Sequence, residues 1–304
     1  MSERPLVSVL VRACNDEKYV RRTLGAIVAQ ETDFPFEILV CDNFSVDETP
    51  RIVASFGDRV KSVPSPEGPY VPGVTLNAFV RAASGEIVVF NNADAIPLDG
   101  RWLVELVKPL REGRADATFA NQCPRPEASA LVRKDAARAF GDGRVSAGWP
   151  RFFSLASSAA RRDDLLANPF DEKLWYSEDI EWANRRKIRR VYCPDACVEH
   201  SHDYTKAQLK RRFYGEGYSD QAIFGDPVPS RARVFASAVR EALRDVVYLA
   251  RRPADWHEVF GALGRRLIQR FAWRDGMADA AAGRPPRTVS TSKDALGRLV
   301  EAST

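Results

Sequence analysis

The strongest constraint on this chain is a repeated figure: a short apolar, β-branched run that stops at Asp or Asn and gives way to a helical pattern. Residues 6–12 read Leu-Val-Ser-Val-Leu-Val-Arg. Residues 36–41 read Phe-Glu-Ile-Leu-Val-Cys before Asp42 and Asn43, and residues 86–90 read Glu-Ile-Val-Val-Phe before Asn91, Asn92, Ala93 and Asp94. Runs this short and this β-branched read as buried strands. Between them, Val20, Leu24, Ile27 and Val28 fall on one face of a helix that runs to about Gln30, and further helices are expected over 49–56, 74–83 and 102–110. A third short strand is expected over 60–63. Strand alternating with helix predicts a mostly parallel, doubly wound α/β sheet. Ligands bind such sheets beyond the carboxyl ends of the strands, where Asp42, Asn43, Asn92 and Asp94 stand.

The rest of the chain is less regular. Pro and Gly crowd residues 64–73, a loop. A strand is expected over 152–161, a helix from Glu178 to Arg186, and a strand over 191–198, with His200-Ser201-His202 beyond it. After Pro227 and Pro229, two apolar stripes at helical spacing predict a hairpin of helices over 231–274. The expected division is 1–225, a catalytic α/β domain; 226–280, a helical extension; and 281–304, a frayed basic tail.

Composition narrows the function. The 304 residues include 45 Lys and Arg against 41 Asp and Glu. Residues 225–304 carry 14 basic against 9 acidic side chains, and the first 224 residues 31 against 32. A neutral body with a mildly basic tail argues against a nucleic-acid partner, which calls for a clustered excess, and fits an anionic lipid surface better. No apolar run approaches the roughly 18 residues of a membrane span, and residues 1–6 lack signal-peptide character, so a cytoplasmic location is expected. Five cysteines in a chain this long do not form a disulfide framework.

Four clusters could carry chemistry. Asp42-Asn43 could read a base edge or a ribose hydroxyl, or merely close a turn. Asp94, after Asn92, could hold a divalent metal through oxygen. Glu178-Asp179 opens a helix, where carboxylates are favourable, but a carboxylate in a cleft is also a general base for a hydroxyl. His200 and His202 alternate, so both imidazoles could share a face. With Cys193 and Cys197 they form a C-x3-C-x2-H-x-H string, shorter than structural zinc sites ordinarily use.

Taken together, these motifs resemble family 2 glycosyltransferases. The resemblance runs from Val7–Asn15 through Gln30, the stretch from Glu37 to Thr49, Pro72-Gly73 with Asn77, Gly85-Glu86, Asn92-Ala93-Asp94, Pro169-Phe170-Asp171-Glu172, Ser177-Glu178-Asp179 and His200-Ser201-His202, and is nearest the bacterial rhamnosyltransferase-like branch. It covers about residues 6–217.

The resemblance implies a GT-A (Rossmann-like) fold, mostly parallel with flanking helices, here extended by the C-terminal helical hairpin. It implies a nucleotide-sugar donor, dTDP-rhamnose or a UDP-sugar, inversion at the anomeric carbon, and a divalent cofactor, Mg²⁺ or Mn²⁺. By position, Arg12, Asn15, Asp42, Asn43, Asn92 and Asp94 match the donor-binding set. Asp94 is the last Asp of the DxD motif, with His200 and His202 as further metal ligands. Asp179, with Glu178 beside it, matches the catalytic base. Arg161, with Arg162, could add positive charge at the diphosphate. Two departures stand out: Asn92 replaces the first Asp of DxD, and Phe44 replaces a small polar residue. The acceptor would be a hydroxyl of a glycan, a lipid-linked sugar or a small molecule.

Two other readings share this fold class. A nucleotidyltransferase would need a glycine-rich phosphate loop where Arg12-Ala13-Cys14-Asn15 stands. A non-catalytic nucleotide-sugar-binding protein would need no Glu178-Asp179 pair. For the hairpin, packing on the body or on a second copy competes with attachment to the inner membrane face through Arg265, Arg266, Arg270 and Arg274.

Overall fold

Alternation in the first strand sets up two cores. In β1 (Val7–Ala13), Val7, Val9 and Val11 face one side of the sheet and Leu10 the other, and all four are fully buried. In the computed structural model, which describes residues 5–287, α1 (Val20–Val28) packs Val20, Leu24 and Ile27 against the first side. β2 (Phe36–Asp42), α2 (Thr49–Ala54) and the short β3 (Lys61–Ser62) follow. α3 (Pro72–Ala82) covers the second side with Leu76 and Phe79. β4 (Ile87–Asn92) lies parallel to β1 with Arg12 opposite Asn92, so the tips of β1 and β4 end side by side.

Beyond β5 (Ile96–Pro97) and α4 (Trp102–Arg111) come β6 (Ala117–Cys123), α5 (Ala130–Ala139), β7 (Ser157–Arg161) and α6 (Arg162–Ala167). α7 (Glu178–Arg185) and β8 (Arg190–Glu199) complete the domain. The eight strands lie in the order β3-β2-β1-β4-β7-β6-β8-β5. Parallel pairs join β1 to β2 and β4, β2 to β3, and β6 to β8, while β7 runs antiparallel between β4 and β6. β7 is shorter than the expected strand over 152–161, because residues 152–156 turn away to line a cavity. β8 carries an irregularity at Pro194, which has no amide hydrogen for the ladder; pairing with β6 resumes at Cys197.

The helix α7 is anchored by Trp182, fully enclosed against Phe153 and Phe170, whose indole N–H donates to the Asn168 carbonyl at 2.8 Å. Truncating a side chain of this kind to Ala costs about 3–5 kcal/mol. Its packing fixes the first turn, where Glu178 and Asp179 stand.

Three long helices follow: α8 (Lys206–Phe224), α9 (Arg231–Leu249) and α10 (Val259–Ala281). The expected hairpin is α9 and α10, but α8 has no strong apolar stripe and escapes a periodicity reading. α10 lies along α8 at glycine contacts: a Cβ on Gly217 would come within 1.9 Å of the Trp273 carbonyl oxygen, and one on Gly276 within 2.1 Å of that of Tyr214. Of the arginines expected to face a membrane, Arg266 is buried and grips Asp135 and Asp245, Arg265 lies against Asp135, and Arg274 donates to the Pro229 carbonyl. Arg266 turns inward because the fully buried Asp245 carboxylate needs a partner. The tail expected to fray lies, from residue 288 on, outside the described residues.

Candidate active site

The turn after β4 is tied by Asn91, whose side-chain amide donates to the carbonyls of Asn92 and Ala95. This closure presents Asp94, only 2% exposed, to the segment that follows β8. His200 Nε2 lies 3.6 Å from Asp94 Oδ1, and His202 Nε2 lies 3.4 Å from Oδ2. The two Nε2 atoms are 3.1 Å apart. Ligand atoms bound at right angles at ~2.1 Å would stand ~3 Å from one another, so this spacing fits one divalent cation. His200 Nδ1 donates to Gln122 Oε1 at 2.8 Å, which leaves the Nε2 lone pair directed at the cluster. Asp94, His200 and His202 form the metal-competent group found among the described residues. The cysteines do not join it: Cys193 is buried toward the Leu106 carbonyl and Cys197 lies against the Pro194 carbonyl.

Asn92 does not face this cluster. Its Oδ1 accepts from Arg12 Nη2 at 3.0 Å, so the amide that replaces the first DxD carboxylate serves Arg12. Arg12 Nη1 lies 3.4 Å from both Glu178 Oε1 and the Tyr70 hydroxyl. Burial works against the Arg12 charge, but Tyr70, Glu178 and Asp179 outweigh it and raise its pKa.

Ser177, at the N-cap of α7, adopts the left-handed region at φ 60°. Asp179 Oδ2 accepts from the Leu155 amide at 3.1 Å and Oδ1 from the Ile180 amide at 2.8 Å. Asp179 lines the cavity and is only partly exposed. Burial first, and the adjacent Glu178 charge second, push its pKa up to about 7, against the opposing pull of the two amides and Arg12.

These groups share one cavity of about 670 Å³, which Arg12, Asn43, Asn92, Asp94, Glu178, Asp179, His200 and His202 all line. Asp42 and Asn15 border it without lining it. Asp42 accepts from the amide and hydroxyl of Ser45, and Asn15 Oδ1 accepts from the Val46 amide, so both brace the turn that carries Phe44 at φ 52°. Asn43 accepts from the Ser65 hydroxyl and faces the cavity. Arg161 is not brought to the site. It pairs with Ile87 at the opposite end of β4 and donates to the Leu110 carbonyl, because β7 runs antiparallel. Arg162 likewise donates to the Val80 carbonyl.

Several residues that pack against this cluster had no sequence signal. Arg125 is buried beside Asp94, with Nη2 bonding the Asp94 carbonyl at 2.6 Å and lying 3.7 Å from its carboxylate, and it also bonds the Ser201 carbonyl. Ser201 thereby anchors the two histidines. On the far wall, Arg212 bonds Glu216 and the Tyr204 hydroxyl, and Tyr204 stacks on His202.

Residues 8–166 match the sequence profile of Glycosyl transferase family 2. The chain belongs to that family. This family 2 enzyme is therefore a glycosyltransferase, and the nucleotidyltransferase and non-catalytic readings give way. It is 26% identical over 262 residues to the O-antigen chain rhamnosyltransferase WbaN of Salmonella anatum, covering 80% of this chain and 79% of that one. It is 24% identical over 266 residues to the O-antigen chain rhamnosyltransferase RfbN of Salmonella typhimurium, covering 81% and 80%. Its fold is GT-A: the mannosyltransferase PcManGT of Pyrobaculum calidifontis, solved with GDP-Man and Mn²⁺, superposes with a TM-score of 0.64 at 19% identity, covering 93% of this chain and 89% of that one. TarS 1–349 of Staphylococcus aureus, solved with UDP-GlcNAc, superposes at 0.52 and 16% identity, covering 94% and 96%.

Proposed function

We propose that this glycosyltransferase takes a sugar from a nucleoside-diphosphate sugar and transfers it, with inversion, to an acceptor hydroxyl on a glycan, a lipid-linked sugar or a small molecule. One observation carries the reading: a single cavity presents an Asp-His-His cation cluster and, separately, a carboxylate whose pKa is raised to about 7. Asp94, His200 and His202 would hold Mg²⁺ or Mn²⁺, which when bound offsets the charge that develops on the departing diphosphate. Arg125 holds Asp94 in place through its carbonyl and lies beside its carboxylate. Arg12, oriented by Asn92 and Glu178, adds a fixed positive charge at the tips of β1 and β4.

Asp179 takes the proton from the acceptor hydroxyl at Oδ1 or Oδ2 as the oxygen attacks the anomeric carbon. The carbon–oxygen bond to the diphosphate breaks as the new glycosidic bond forms, and the proton ends on Asp179. Holding the carboxylate by two backbone amides keeps it aimed without a flexible lever. The rhamnosyltransferase names of two relatives support dTDP-rhamnose as the first donor to test, with UDP- and GDP-sugars beside it.

The test is hydrolysis and transfer measured across dTDP-rhamnose, UDP-glucose, UDP-N-acetylglucosamine and GDP-mannose, with Mg²⁺, with Mn²⁺ and with chelator. Turnover of at least one donor that chelation abolishes and metal restores is expected, with the product anomer opposite to the donor's by NMR. Retention of configuration would overturn the assignment of Asp179 as base in a single displacement.

A further inference from the structure

The helical hairpin buries charged side chains among its small apolar ones and leaves large apolar side chains outside. On α9, Glu241 and Asp245 are 4% and 0% exposed, whereas Leu243 is 61% exposed and Val247 59%. At about 100° per residue, Val234, Ala238, Glu241, Ala242, Asp245 and Leu249 form the buried arc, Leu243 and Val247 lie across the axis from it, and the half-exposed Phe235 sits at its edge. α10 repeats the arrangement, with Arg266 and Gln269 buried and Leu263 and the 88%-exposed Phe260 outside.

The buried faces converge on α5. Lys134 pairs with Glu241 and Asp245, Arg138 with Glu241, and Arg266 with Asp135 and Asp245. The remaining acids between residues 231 and 274 turn the same way: Asp255 pairs with Arg133, and Glu258 accepts from the amides of Ala130 and Leu131. All four acidic side chains of that segment are thus engaged with α5 or its flanking helix, while Arg231, Arg233, Arg240, Arg251 and Arg252 are exposed. On α9, Arg233 and Arg240 fall along the border of the apolar arc beyond Val247, and Arg251 follows just past the end of the helix.

We propose that the outer face of α9 and α10 lies on an anionic lipid membrane surface. The charge pattern selects that occupant. A second copy seated symmetrically on the same face would set these arginines against one another with no acidic partner among them. A lipid surface offers phosphate to the arginines and an acyl boundary to Phe235, Leu243, Val247, Phe260 and Leu263. The helices lie on the surface and do not cross it, since among the described residues no helix is long and apolar enough to span a membrane. The surface is not the one reached by counting Arg265, Arg266 and Arg274, which the fold turns inward. The inference stands apart from the proposed chemistry, because it needs neither donor nor metal.

Flotation of the full chain with vesicles of phosphatidylcholine alone, or containing phosphatidylglycerol, tests it. Binding to the anionic vesicles at low salt, lost at high salt and absent with phosphatidylcholine alone, is expected. Arg240→Gln and Arg251→Gln should each weaken it about fivefold. Leu243→Glu and Phe260→Glu should abolish it, with unfolding temperature and circular dichroism kept, since both side chains are exposed. Failure of the full chain to float with anionic vesicles at low salt overturns the proposal. In that case a dimer by sedimentation equilibrium that Phe260→Glu dissociates assigns the face to a second copy. Unchanged flotation of the four variants overturns it equally.

Discussion

Gln122 on β6 accepts a 2.8 Å hydrogen bond from Nδ1 of His200, and by doing so fixes which nitrogen of that imidazole is left for a cation. Toward the cation cluster, Gln122 acts by positioning the imidazole. Gln122→Leu should weaken Mn²⁺ binding, measured by calorimetry without donor, about 10–100-fold while leaving the fold intact. An unchanged affinity would show that His200 needs no support from β6.

Removing a ligand outright should be more severe. Asp94→Asn leaves Arg125 beside a neutral amide and takes the charge from the cluster. Metal-dependent donor binding should fall by more than tenfold, and added Mn²⁺ should no longer raise the unfolding temperature, as ligand linkage requires of a protein that has lost its site.

Asp179→Asn should keep donor binding and lower turnover by ~10²-fold or more, the usual consequence of losing a general base. Near-normal turnover would place the base elsewhere in the cavity.

The pH dependence follows from the direction of the Asp179 shift. A base acts when unprotonated, so kcat/KM should rise with pH, with unit slope on the acid side, and level off above about 7. Glu178→Gln removes the second cause of the shift and frees Arg12 to act on Asp179. The acid limb should then move to lower pH. Stability carries the opposite sign: the unfolded Asp loses its proton near its ordinary pKa, so this group's contribution falls as pH rises from there to about 7 and is constant above.

The hairpin should depend on its inward charges. Asp245 is fully buried between Lys134 and Arg266, so Asp245→Ala leaves two cations without their shared carboxylate. A loss of about 3–5 kcal/mol is expected in denaturant unfolding, far more than for an exposed pair such as Arg144 with Asp142.

The parts legible in the sequence are those that local physics dictates. The strands stop where an apolar, β-branched run meets Asp or Asn, so Asp42, Asn43, Asn92 and Asp94 could be placed at strand tips, with tip residues facing a ligand edge. Glu178 and Asp179 could be placed in a first helical turn, and His200 and His202 on one face, because their spacing alone fixes it. The motifs, in order, were enough for the family and the GT-A fold. What the sequence could not decide is direction over long separations. β7 reverses, and Arg161 lands at the wrong end of the sheet. Arg125 and Gln122 reach Asp94 and His200 from a strand end that carries no motif. Arg12 meets Glu178 across 166 residues of chain. An apolar stripe at helical spacing looks the same whether it faces the core or the solvent. Only packing against α5, whose Lys134, Asp135 and Arg138 pair with Glu241, Asp245 and Arg266, turned those charges of α9 and α10 inward among small apolar residues and left Leu243, Val247, Phe260 and Leu263 outside.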